Sequence, residues 1–270
     1  MKKEIELLKV IKQLRSQLNS RFELYGKKSI EGSFDPSFKF IRKKVCLDPE
    51  RKIEPYISST ISSEALSRES VVVNNSKDAE KELILPNYDG IKSLYDEVKD
   101  CRACNLHKSR INTVFGSGSG RIKLICIGEA PGEEEDKKGL PFIGKAGKLL
   151  TKMLGAIDIK REDIFICNVL KCRPPKNRDP LPEEIKSCSR YLDMQIDILK
   201  PKFILALGRV AAMRILGVER RMAEFRTGGY SYKGIPVIVT YHPSALLRNP
   251  KWKRPAWEDL QNLQKLLRES

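Results

Sequence analysis

The sequence predicts an α/β protein: a three-layer α/β/α domain on a central, mainly parallel four-stranded sheet, with an N-terminal helix and a flexible linker ahead of it. Three observations carry that expectation. Four short apolar runs, "RIKLICIG" (121–128), "DIFICNVLKC" (163–172), "KFILALG" (202–208) and "IPVIVTYHPS" (235–244), have the texture of buried strands. Helical patterns follow or separate them, at about 145–156, 182–199, 209–216 and 254–268. Strand and helix in alternation build a parallel sheet covered on both faces. The unusual residues then gather just past the strand ends, in "GEAPG", "CNVLKC", "LGR" and "YHPSALLR". That rim is where open parallel sheets bind ligands.

Taken in order, Leu7, Ile11, Leu14 and Leu18 recur at helical spacing, so residues 1–25 hold an amphipathic helix over 3–24. It reads as a fraying helix or a dock for a protein partner, with no chemistry of its own. Residues 26–90, including "SSTISSEALSRESVVVNNSKDAEKE", show little periodicity and read as flexible linker. The domain itself is expected over 91–270. Pro182 suits the first turn of its helix, where a missing N–H costs nothing.

The totals narrow the function classes. The chain of 270 residues carries formal net charge +16, which favours nucleic acid or another anionic partner. No apolar run approaches the roughly 20 residues of a membrane span. The N-terminus interrupts its leucines with charges, unlike a secretory signal. A monomer in a reducing cytoplasm is expected, where spaced cysteines more often mean metal or catalysis than disulfides.

Four of the seven cysteines are candidates for a metal site. Cys101 and Cys104 form a C-x2-C pair before the first domain strand. Cys172 ends the second strand run, and Cys188 follows with fifteen residues between them, inside the next helix. Four thiolates so placed suit a structural zinc or an iron–sulfur cluster, and spacing does not choose between them. A redox pair is less apt, because the C-x2-C does not open a helix after a strand. Cys126 and Cys167 read as small core residues, and Cys46 lies in the linker.

The strand-end loops hold the other candidates. Gly128 and Gly132 allow a sharp turn and close approach to a ligand. No Gly-Lys-Ser/Thr follows, so this is no phosphate-gripping P-loop, and four acidic residues, Glu133 to Asp136, argue the same way. Phe142, between Pro141 and Gly144, is either core or a flat wall on which a base stacks. Asn168, inside an apolar run, either ties a loop or reads a ligand, since a buried amide must be paired. Its donor and acceptor complement the O4 and N3–H of uracil and clash with the exocyclic amine of cytosine. His242 stands just past the last strand, on the rim that Asn168 shares. His107 reads as a surface residue.

Together "GEAPGEEED", "LPFIG", "NVLKC" and "HPSALLR", in this order, resemble the uracil-DNA glycosylase superfamily, and within it the iron–sulfur-containing family 4 of bacteria and archaea. The resemblance covers about residues 95–268. It implies an enzyme that flips uracil out of DNA and hydrolyses its N-glycosidic bond, with uracil-containing DNA as partner. It also implies a [4Fe-4S] cluster on Cys101, Cys104, Cys172 and Cys188. Phe142 would stack on uracil, Asn168 would read its edge, Glu135 would exclude the methyl of thymine, and His242 would face O2. Leu246 to Arg248 would enter the duplex where the base had been. Gly128, Glu129, Ala130 and Gly132 would line the sugar side. Well-known uracil glycosylases place a water-activating aspartate where this chain has Ala130, so backbone carbonyls or Glu129 are left to orient the water. Arg248, Lys145 and Lys148 are candidates for phosphate contacts. A DNA-trapping relative carries a basic, histidine-containing insertion; nothing like it stands between Asp136 and Leu140, so turnover without covalent capture is expected. The competing readings are a glycosylase for another deaminated base, a non-catalytic uracil-DNA binding or polymerase-associated module, and a zinc-bound nucleic-acid adaptor.

Overall fold

A computed structural model describes residues 71–73 and 83–269. The N-terminal helix expected over 3–24, Cys46 and most of the linker lie outside these residues. In chain order the elements begin with β1 (Val71–Val73), β2 (Leu83–Leu85) and α1 (Ile91–Lys99). Then come β3 (Leu124–Gly128), α2 (Glu133–Lys138), α3 (Lys145–Gly155), β4 (Phe165–Asn168), α4 (Pro182–Leu199) and β5 (Phe203–Leu207). The remainder is α5 (Arg209–Leu216), α6 (Met222–Arg226), β6 (Tyr230–Tyr232), β7 (Ile235–Thr240), α7 (Pro243–Arg248) and α8 (Lys253–Glu269).

The main sheet has the order β4-β3-β5-β7-β6. Its four expected strands are mutually parallel. The expectation of four strands is corrected to five, because β6 pairs antiparallel with β7 at the edge. "YSY" is too short and too exposed to carry an apolar signature, and a tight Lys233-Gly234 turn with positive φ at both residues makes the pairing. The linker reading of 26–90 also needs correction at its end. β1 pairs with β2, and Leu83 and Leu85 are buried. Two inward leucines around Ile84 are too brief a pattern to stand out from a polar segment.

Alternation within the strands makes the three layers. Ile125 and Ile127 of β3 pack in one cluster with Leu94 of α1, Leu192 of α4 and Ala212 of α5. Leu124 and Cys126 face the opposite cluster, with Leu150 and Leu154 of α3 and Leu260 of α8. Side chains on a strand point alternately to its two faces, so a continuous apolar run is what a sheet covered on both sides requires. Cys126 and Cys167 are fully buried in these clusters, as the sequence suggests. Because β3 lies between β4 and β5, the chain leaves it in one direction and returns on the other side. The crevice at such a switch point opens at the carboxyl ends of the strands.

Candidate active site

A cleft of about 760 Å³ opens at that rim. Gly128 pairs with Asn168 across β3 and β4. A Cβ on Gly128 would stand 2.4 Å from both Asn168 Oδ1 and Phe142 Cζ, so only glycine lets the amide and the ring close over the strand end. Asn168 is buried, and its Oδ1 has no hydrogen-bond partner among the described residues. Leaving such a group unpaired costs about 1–3 kcal/mol. Asn168 also lines the cleft, which is where a partner can reach it.

Phe142 sits in the left-handed region, φ 50°, at a cost of about 1–3 kcal/mol for a bulky residue. Its neighbours enforce this. Arg161 Nη1 donates to the Phe142 carbonyl at 2.6 Å, and its other guanidinium nitrogen donates to the Pro141 carbonyl. Glu135 Oε1 accepts from the N–H groups of Ile143 and Gly144, each at 2.9 Å. A Cβ on Gly147 would overlap the Phe142 carbonyl, at 1.8 Å. The held ring tilts 35° to that of His242, with centroids 5.5 Å apart.

The acidic run is the short helix α2, with its carboxylates at the end where the helix dipole favours them. They then part company. Glu133 pairs with Lys137 at 2.6 Å on the surface, and buried Asp136 accepts from Ile111 N–H at 2.9 Å. Glu135 alone both lines the cleft and braces the Phe142 loop.

His242 caps α7. Its Nδ1 accepts from Ser244 N–H at 3.2 Å and lies 2.8 Å from Ser244 Oγ. A ring nitrogen that accepts a backbone N–H carries no proton, so the neutral imidazole bears its proton on Nε2. Burial, and then the nearby Arg248, push its pKa down to about 4. Near neutral pH His242 is therefore an uncharged donor. Gly208, at φ 90°, lets β5 turn against it; a Cβ there would stand 2.9 Å from His242 Cβ. Glu129 is half-buried, and burial followed by Asp179 raises its carboxyl pKa, opposed by Arg209 and Arg248.

Cys101, Cys104, Cys172 and Cys188 line a second, smaller cavity. No three His, Cys, Asp or Glu side chains among the described residues stand close enough to hold one metal ion. A cluster asks for less convergence, since each iron takes its own thiolate. The surroundings suit anionic sulfur. Arg110 Nη1 donates to Cys172 Sγ at 3.2 Å and Lys171 N–H to Cys188 Sγ at 3.3 Å. Lys171 itself is buried, and among the described residues its ammonium donates only to neutral acceptors: the Asn168 carbonyl at 2.8 Å and Gln195 Oε1 at 2.6 Å. A buried cation calls for an anion, and a thiolate at Cys188, on which the Lys171 charge acts, would supply it. Without such a group, burial holds the Cys172 thiol up at about 11.

A profile of the Uracil DNA glycosylase superfamily matches residues 115–261. The chain belongs to that superfamily. Among relatives of this uracil DNA glycosylase superfamily member, the Type-4 uracil-DNA glycosylase of Archaeoglobus fulgidus is 41% identical over 189 residues, which is 66% of this chain and 94% of the relative. That of Sulfurisphaera tokodaii is 44% identical over 187 residues, 66% of this chain and 85% of the relative. That of Thermotoga maritima is 44% identical over 177 residues, 64% and 92%.

Within this superfamily member the cleft brings together Glu129, Ala130, Gly132, Glu135, Phe142, Asn168, His242 and Arg248, with Gly128 beneath Asn168 and Phe142. Leu246 is a correction. It is 2% exposed and packs in the core with Phe142 and Leu150, so it does not project towards DNA. Leu247, 46% exposed on the same helix, is the side chain free to do so. A register one residue off is invisible in "ALLR" until the helix fixes which leucine faces in. Lys145 and Lys148 are exposed on the first turn of α3. Sequence reasoning missed Arg161, Lys171, Tyr241 and Trp252. Nothing local marks Arg161 or Lys171, but "YH" and "PKW" flanking the histidine helix carried an aromatic signal that was there to read.

Proposed function

We propose that this protein excises uracil from DNA, leaving free uracil and an abasic site. Membership of the superfamily and the named relatives support the reaction. The observation that carries it is the orphaned Oδ1 of Asn168 beside a fixed aromatic ring and a neutral histidine donor. The target nucleotide leaves the duplex, at a cost of a few kcal/mol. Phe142 stacks on the base, and Asn168 pairs with its O4 and N3–H. Glu135, fixed by two N–H groups, walls the space beside C5 against thymine's methyl.

As the bond from C1′ to N1 breaks, its electron pair moves onto the base and charge gathers on O2. The His242 Nε2–H donates to that oxygen. Water adds to the electron-poor C1′, placed by Glu129 and nearby backbone carbonyls, since Ala130 offers no carboxylate. The water's proton leaves to Glu129 or to the departing base. Arg248, Lys145 and Lys148 hold phosphates, which gives salt-dependent affinity. Cys101, Cys104, Cys172 and Cys188 would hold a [4Fe-4S] cluster, which would stabilise the fold around Lys171 and leave bond cleavage to the cleft residues. The enzyme acts in the cytoplasm as a monomer. No helix among the described residues is long and apolar enough to cross a membrane.

The test is incubation of the as-purified protein with labelled single- and double-stranded oligonucleotides carrying one uracil, followed by alkali. Strand cleavage at uracil, with release of the free base and little at cytosine or thymine, is expected. Absence of release, or preference for hypoxanthine on a panel of deaminated bases, overturns the assignment. Asn168→Asp shifts preference towards cytosine, because a carboxylate accepts from the exocyclic amine.

A further inference from the structure

Tyr241 and Trp252 stack at the edge of the cleft, with centroids 5.0 Å apart and planes 12° from parallel. Both line it. Tyr241 is half-buried, while Trp252 is 38% exposed. The stack is anchored from below. The Arg226 guanidinium lies 5.2 Å over the Tyr241 ring. Arg226 is itself held by Asp259 through two bonds of 2.7 and 2.9 Å and by the Pro255 carbonyl at 2.6 Å. Asp259 is buried. A rigid aromatic pair is thus fixed to the core through an ion pair, and its outer tryptophan is left to solvent. Tyr241 directly precedes His242, so the stack is held in register with the base pocket. Arg248, Lys251 and Lys253 stand exposed around it, with no salt bridge among the described residues.

We propose that Trp252 is a stacking platform for the nucleobase next to the everted uracil when that neighbour is unpaired, so that it serves single-stranded DNA. The idea rests on the glycosylase reading above. Eversion removes one stacking partner from the adjacent base. In a duplex that base remains paired to the opposite strand, and Leu247 is placed to fill the gap. In a single strand nothing else holds it, and an exposed indole flanked by cations offers the missing face. Base-on-aromatic stacking of this kind is worth roughly 5- to 150-fold in affinity per base.

The protein has two tryptophans, so Trp257→Phe leaves Trp252 as the only indole emitter. Titrating that variant with a uracil-free single-stranded oligonucleotide is expected to quench its emission, while free uracil at saturation leaves it nearly unchanged. In excision assays, Trp252→Ala raises KM for single-stranded uracil substrate by roughly 5- to 150-fold and changes the duplex value by much less. Trp252→Phe keeps most of the single-strand affinity. Unchanged emission at saturating oligonucleotide, or equal losses on single and double strands, overturns the platform. The fluorescence titration needs no uracil excision, so it still reads out if the glycosylase assignment fails.

Discussion

Replacing His242 tests the chemistry most directly, because the fold fixes which nitrogen carries the proton. With Nδ1 taken by the Ser244 N–H, only Nε2–H remains to act as the proposed donor to uracil O2. Removing one such donor typically costs about 10²–10³ in rate, or about 2.7–4 kcal/mol of barrier. His242→Ala is therefore expected to lose that factor in single-turnover excision with the fold kept, while His242→Gln, whose amide reaches the Nε2 position, loses less. Ser244→Ala keeps the backbone N–H to Nδ1 and costs little. The pH dependence follows from the low pKa. The ordinary imidazole value is about 6.5, and burial with Arg248 brings it to about 4 in the fold. The folded state thus binds fewer protons than the unfolded state between those values. The associated stability is complete above pH 6.5, falls as pH drops towards 4, and amounts to about 3 kcal/mol at its limit. The contribution of His242 to excision therefore stays level down to pH 6.5 and is lost only near pH 4. Single-turnover rates on a labelled uracil oligonucleotide, from pH 4 to 8, read this out. The Glu129→Gln background separates the Glu129 carboxyl, whose pKa is itself raised. An acid limb near 6.5 that persists in Glu129→Gln and vanishes in His242→Gln refutes the neutral-donor argument. So does near-normal excision by His242→Ala.

Gly128→Ala places a methyl 2.4 Å from both Asn168 Oδ1 and Phe142 Cζ; overpacking of about 1–3 kcal/mol should appear as a modest fall in Tm. Excision should fall about 10²-fold, as for other ångström-scale misplacements. Arg161→Leu strips two buried carbonyls of their donor, so binding of free uracil should weaken and KM rise more than kcat falls, with partial rescue by Arg161→Lys; calorimetry showing unchanged uracil affinity would count against Arg161 as a positioning residue. Cys172→Ser should lose bound iron, visible absorbance and thermal stability together, and full iron occupancy in that variant would exclude Cys172 as a ligand.

The sequence by itself determined the layers and the rim. Short, unbroken apolar runs separated by helical patterns leave no other economical burial for β3, β4, β5 and β7, and their motifs had to fall at one edge. It also supplied the residue types of the pocket, because an amide in a strand and a phenylalanine between proline and glycine are locally conspicuous. The cysteine spacing was legible for the same reason. What only the tertiary structure decided depends on contacts across long separations. Arg161 reaches back 19 and 20 residues to the Phe142 and Pro141 carbonyls. Lys171 lies between the end of β4 and the thiol cavity. Helix phase turned Leu246 inward and Leu247 outward. β6 joined the sheet through a turn rather than through apolarity. Periodicity reports how much surface an element buries, but which distant carbonyl a guanidinium satisfies is settled only when the layers have packed.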